Sequence, residues 1–156
     1  MKPYIHSGGN VSLILWNIDA SVGKGGANNS PCDISYLPWY YTLSSHFHLT
    51  GEDEKVIYRK VQITGHCQGT ENDPLAAAII AQQKALGHPH IDGRINAAHG
   101  TGLIGAKAFH ILRLGARLAV MYPNLWPRLD LMPRGPAGVA QAVRDTIPNM
   151  AKLQSG

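Results

Sequence analysis

Eight histidines and two cysteines are the residues of this 156-residue sequence best suited to metal or nucleophile chemistry. His46-Phe-His48 and His88-Pro-His90 can each present two imidazoles on one side of an extended segment, with Cys32, His66-Cys67 and His99 as further ligand types. Zinc needs three or four converging nitrogen or sulfur ligands, and no C-x-x-C, H-E-x-x-H or comparable spacing occurs, so no metal is expected. A thiolate nucleophile needs a base or positive field beside it. A free cysteine is more often a small buried hydrophobe, and that is the reading given to Cys32 and Cys67, with their pairing left open. Paired carboxylates for glycoside hydrolysis are also missing, because Glu52 and Glu54 fit first-turn helix charges and only Glu71 remains. No catalytic residue is assigned, and an enzyme is the minority expectation.

Two glycine clusters suggest phosphate chemistry. Gly100-Thr-Gly102-Leu-Ile-Gly105 spells G-x-G-x-x-G at the start of a helical pattern, and a dinucleotide site also requires a buried strand ending at its first glycine. His90 to His99 offers no such strand, and Asn124 stands where an acidic ribose partner would follow. A small nucleotide-dependent enzyme using Gly100 to Gly105 is retained as the alternative, to be decided by whether residues 94–99 form a central parallel strand; otherwise no cofactor is expected. Gly23-Lys-Gly-Gly26 lacks the spacing of a phosphate loop and a hydroxyl after Lys24, so it reads as a structural turn. His110, Arg113 and Arg117 fall within roughly 60° of helical arc, with Lys107 at the edge. Such a stripe can bind an anionic polymer, although a solvated face is its ordinary use.

The glycine loop and a later turn also carry a family likeness. Ser21-Val-Gly-Lys-Gly-Gly-Ala-Asn-Asn-Ser-Pro-Cys-Asp-Ile34 matches a V-G-x-G-G-x-N loop leading to an Asp-capped helix. Ile63-Thr-Gly65-His-Cys67 matches V-x-G-x-C and continues through Asp73, Ala78-Ile79, Gln83 and Gly87 to Asp92-Gly-Arg-Ile95, a D-G-R-V turn. In this order, over residues 21–101, the chain resembles the small helical peptidoglycan-binding-like modules found alone or with bacterial cell-wall hydrolases and type VI secretion cargo. It departs from them at Leu37-Pro38 in place of V-Q, at Gln82-Gln83 in place of F-Q, and at Gly69 to Pro74 in place of G-P-x-T. The resemblance implies that Gly23, Gly25, Gly26, Asn28, Asp33, Gly65, Asp92, Gly93 and Arg94 are turn and cap positions first. A weak carbohydrate or peptide contact is their second role, with Lys24, Asn28 and Arg94 from the motif and His110, Arg113 and Arg117 from the stripe as the ligand-contact candidates. The implied job is non-catalytic recognition of cell-wall material or of a secretion-machine partner, with a purely protein–protein role in a bacterial protein as a further alternative.

The elements that must position these groups fit one domain. A chain of 16.9 kDa with 44% hydrophobic and 15% charged residues can bury a core, and two cysteines are too few for a disulfide scaffold. The net charge of +4 is mild, and without a Lys/Arg run it supports no dedicated nucleic-acid binding. No stretch reaches the length of a membrane span, and none near the start reaches that of a Sec signal, so the expected location is cytoplasmic, or exported by a route that reads no such signal. A strand is expected at Val11 to Asp19, with Val61 to Thr64 as its partner in a small ribbon. Helices are expected at Asp33 to Leu43 with Pro38 limiting or kinking it, at Lys55 to Tyr58 capped by Thr50, at Pro74 to Leu86 between Asp73 and Gly87, at Thr101 to Tyr122 as a long central helix, and at Pro136 to Pro148. Leu125 to Pro133 should pack as an apolar belt. The fold class is therefore α+β and mostly helical, a single domain over 1–150 with a frayed tail at 151–156.

Overall fold

Lys2–Gly8 (β1) and Val11–Asn17 (β2) pair antiparallel, from Lys2 opposite Asn17 to Gly8 opposite Val11. The expected strand at Val11 is present, but its partner is the segment just before it rather than Val61 to Thr64, which makes no strand pairing. A hairpin closes a very short loop, whereas pairing with Val61 would close one of about forty residues at greater entropic cost. The computed structural model describes residues 1–8, 11–26, 28, 30–64, 72–99 and 109–154, without the side chains of 5–8, 11–13 and 149–154. Gly65, Cys67 and the Gly100 to Gly105 turn lie outside the described residues.

Val22–Gly23 (β3) is the first half of a second ribbon, completed far along the chain. Pro31–Ser44 (α1) follows, capped by Ser30 and not by Asp33, which sits inside the first turn. The helix runs straight through Pro38, which removes one ladder donor; Trp39, Tyr36, Tyr40, Leu37 and Tyr41 are fully buried around it, and this packing overrides the local penalty. Glu52–Tyr58 (α2) starts at Gly51 without a side-chain cap, because the expected capping hydroxyl of Thr50 is paired instead with that of Ser44 at 3.1 Å. Pro74–Ala85 (α3) has the expected ends: Asp73 accepts from the Leu75 N–H at 3.0 Å, and Gly87 takes a positive φ of 61° past the last turn.

Arg94–Ile95 (β4) pairs antiparallel with β3, Val22 opposite Ile95 and Gly23 opposite Arg94. Residues 94–99 thus contain two residues of antiparallel ribbon and no central parallel strand, so the strand required by the dinucleotide alternative is missing. His110–Met121 (α4) is shorter than expected. Phe109, with φ −56° and ψ 140°, is non-helical and forms its N-cap, so a continuous helix from Thr101 is excluded, while 101–108 lie outside the described residues. Ile111, Gly115 and Leu118 face inward as their spacing requires.

After α4 the apolar belt forms, with one short 3-10 turn at Leu129–Leu131. Its docking is settled by indoles. Trp16 donates to the Pro127 carbonyl at 2.9 Å, Trp126 returns a bond to the Ile14 carbonyl at 2.9 Å, and Trp39 donates to the Pro133 carbonyl at 3.0 Å. Ala137–Gln154 (α5) closes the chain and continues through Pro148, where the sequence places its end; one proline removes one ladder bond and leaves the rest of the helix intact. Among the described residues, five helices and two two-stranded antiparallel sheets share one hydrophobic core, an α+β, mostly helical domain. No helix of the described residues is long and apolar enough to cross a membrane.

Candidate functional site

Glycine 23 sets the site. Its φ is +104°, and a Cβ there would stand 2.4 Å from the Gly93 carbonyl oxygen and 2.7 Å from Ile79 Cδ1, so only glycine lets the loop meet the later turn. The next residue completes the junction, with the Lys24 N–H donating to that same Gly93 oxygen at 2.9 Å. Gly26 turns the loop back with a 2.9 Å bond to the Gly23 carbonyl.

Short polar side chains hold both segments. The Asn28 amide donates to the Ala20 carbonyl at 2.8 Å and to Asp33 Oδ2 at 2.7 Å, while its oxygen accepts from the Ser30 N–H at 2.7 Å. Asp33, fully buried, also accepts from the Asp19 N–H at 2.7 Å and pairs with the Met1 ammonium at 2.6 Å. Across the junction Gln83, 1% exposed, accepts from the N–H groups of Asp92 and Gly93 at 3.0 Å. Its amide donates to Asp92 Oδ1 at 3.0 Å and to the Arg94 carbonyl at 3.1 Å. Burial works against the charge of Asp92, but hydrogen bonds from Gln83 and from the Arg94 N–H outweigh it and hold this carboxyl below its usual range.

What this framework brings to the surface is Arg94 beside Lys24, with the Asp92 carboxylate 40% exposed next to them. Arg94 lies next to Lys24 through the Gly23–Arg94 register; its side chain is 41% exposed, with Nη2 4.0 Å from Asp92 Oδ2. Its Nε is buried without a hydrogen-bond partner. Ser21 Oγ, donating to Asn96 Oδ1 at 2.7 Å, fastens the flank. Lys24 and Arg94 are therefore brought together, whereas Asn28 is removed from the ligand-contact candidates because its amide is committed inside the loop and only 4% exposed.

The basic stripe on α4 is corrected in the same way. His110 is 4% exposed, with Nε2 2.8 Å from Gln82 Oε1 and its ring 5.6 Å from that of His88, so it belongs to the interior. Burial pushes its pKa down to about 3, reinforced by the charges of His88 and Arg113 against a small opposing pull from Asp92. Arg113 and Arg117 remain half-buried at the surface. Arg117 acts on the buried Tyr40 phenol, which burial pushes up and the arginine draws back.

Gln82, a departure from the resembled pattern, has no role assigned to it from the sequence. It joins Tyr41, which donates to its oxygen at 2.7 Å, Tyr40, which accepts from its amide at 2.9 Å, and His110 in one buried network. The signal lies in its spacing: Gln82 shares a helix face with Leu75 and Ile79, and an amide on a buried face needs polar partners.

Among the described residues no group of three or more His, Cys, Asp or Glu is placed to hold an ion. His88 and His90 instead close a local turn, the His90 N–H lying 3.1 Å from His88 Nδ1. Cys32 is a free thiol pushed up to about 11, chiefly by burial, so it is poorly ionised at neutral pH. Comparison with family models, with curated proteins and with solved structures gives no match for this chain.

Proposed function

We propose that this chain is a non-catalytic recognition module for anionic cell-wall material, contacted through Lys24 and Arg94, with Arg113 and Arg117 as a subsidiary basic patch. One observation carries the reading: the Gly23–Arg94 register sets Lys24 and Arg94 next to each other, with Asp92 as the one carboxylate beside Arg94, on a loop and turn whose amides are committed inward. A framework whose amides are committed in this way suits a rigid contact surface. The resemblance to peptidoglycan-binding-like modules supports the same reading and supplies its ligand class. Exposed cations of this kind give weak contacts that salt screens.

Retention on purified peptidoglycan, measured against an unrelated protein of equal net charge, tests it. Weak retention that falls with added salt and falls further in Lys24→Ala/Arg94→Ala is the expected result. Equal retention of the control protein, or an unaffected double variant, would sink the cell-wall reading and leave a protein partner as the successor.

A further inference from the structure

Away from the loop, the C-terminal half of α1 and the belt enclose a cleft of about 390 Å³, within the size range of small-molecule sites. Trp39, Leu43, Ile63, Tyr122 and Pro133 line it, and His46 and Arg134 supply its basic side chains. Trp39 is fully buried with its only N–H committed to the Pro133 carbonyl, so it backs the cleft from beneath, and the apolar surface open to an occupant is that of Ile63, Tyr122 and Pro133. Tyr122 is held edge-on to Phe47 with ring centres 6.0 Å apart, and Ile63, 44% exposed, extends the apolar lining.

Among the described residues the polar end of the cleft has one sign: no Asp or Glu lines it, and Arg134 makes no ion pair. Its backbone is also unusual: φ is +54°, and Arg134 is the only non-glycine among the described residues with a positive φ. In a turn with proline before it, glycine or asparagine is the ordinary choice at this position. An arginine here carries a conformational penalty that a glycine would relieve, and it sets a guanidinium at an apolar cleft.

We infer that the Trp39–Tyr122–Arg134 cleft is a second binding site, for a small amphipathic carboxylate whose flat apolar body rests against Ile63, Tyr122 and Pro133 and whose carboxylate pairs with Arg134. The inference is independent of the cationic loop, since it uses none of its residues. Size, apolar lining and charge each select one part of this ligand, and a guanidinium holds a carboxylate through two parallel hydrogen bonds.

The test uses 4-phenylbutyrate and its neutral isostere 4-phenylbutanamide, titrated calorimetrically and by NMR into the full chain and into Arg134→Gly and Arg134→Lys. The carboxylate should bind saturably and roughly tenfold more tightly than the amide, with shifts centred on Ile63, Tyr122 and Arg134. Arg134→Gly should abolish that preference while its urea midpoint rises, which separates loss of binding from loss of fold. Arg134→Lys should keep part of the preference. Absence of saturable binding, equal affinity for the two compounds, or an undiminished preference in Arg134→Gly would overturn the inference.

Discussion

Two irregular regions flank the core of this molecule, and they solve the same problem by different means. A segment without ladder bonds must still satisfy its backbone when it packs against the interior. The glycine loop and the turn at 92–95 do so largely with amides and a carboxylate: Asn28 and Gln83 donate to and accept from main chain, Asp33 accepts from it, and Asn17 does for Ala98 what the amides do, bonding its carbonyl at 2.8 Å and its N–H at 2.9 Å. The belt at 125–133 uses indoles, each making one hydrogen bond while burying a large ring. The first design matches polar groups atom by atom around the buried Val22 and Ile95; the second relies on ring burial with one hydrogen bond per indole.

That contrast predicts steep effects in the loop and graded ones near the belt. Gly23→Ala should be the most damaging, destabilising by about 4 kcal/mol, since it adds backbone strain at positive φ to a clash with the Gly93 carbonyl, an atom that cannot swing aside. A chemical denaturation curve with a midpoint near that of the parent would show that loop and turn do not meet as described. Gln83→Ala follows at about 3 kcal/mol, because the Asp92 and Gly93 N–H groups lose their acceptor in a largely closed site. Loss of hydrogen-exchange protection at those two amides would localise the effect, and unchanged protection would contradict it.

The belt side predicts less. A Cβ on Gly115 would stand 3.2 Å from Trp126 Cη2 and 3.3 Å from Leu15 Cδ2, and Trp126 is pinned by its bond to Ile14. Gly115→Ala should therefore destabilise by about 2 kcal/mol despite the better helix propensity of alanine, while Arg113→Ala on the outer face should stay within about 0.5 kcal/mol. A stabilised Gly115→Ala protein would mean that the indole can yield.

A smaller effect than those of the glycine and Gln83 variants, and a pH-dependent one, belongs to the buried Gln82–His110 network. His110 is held neutral, its folded pKa of about 3 lying below the ordinary 6.5, so on acidification the unfolded chain takes up the proton first. Its neutral form contributes fully above about 6.5, and that contribution is lost progressively as pH falls toward 3. Between pH 6 and 5 the parent should lose about 1 kcal/mol more stability than His110→Gln. Parallel pH profiles for the two proteins would refute this.

What could be read in advance divides along physical lines. Signals contained in one helix were legible: Asp73-Pro74 and Gly87 bracket α3, and the spacing of Ile111, Gly115 and Leu118 gives the inner face of α4. Features set by where a second element stops were not. A helical wheel puts His110 in line with Arg113 and Arg117, yet only the packing of Gln82 and His88 against it decides that His110 is inside. Lys24 and Arg94 both stood out as residues, but their adjacency depends on a two-residue ribbon joining segments some seventy positions apart, too short to leave a periodic trace. The Trp39–Arg134 cleft draws on α1, the end of α4 and the belt, and no local pattern announces such a meeting.

The three tryptophans of the chain all bond either into the belt or from the belt to the hairpin beneath it, and none lies in the loop-and-turn region. Intrinsic fluorescence is therefore a one-sided witness. A red shift in emission at constant helical circular dichroism would report the belt lifting away while the rest stays folded. Melting confined to the glycine loop would leave the emission unchanged. The two optical signals together measure whether the ends of the molecule unfold as one unit, without the introduction of any label.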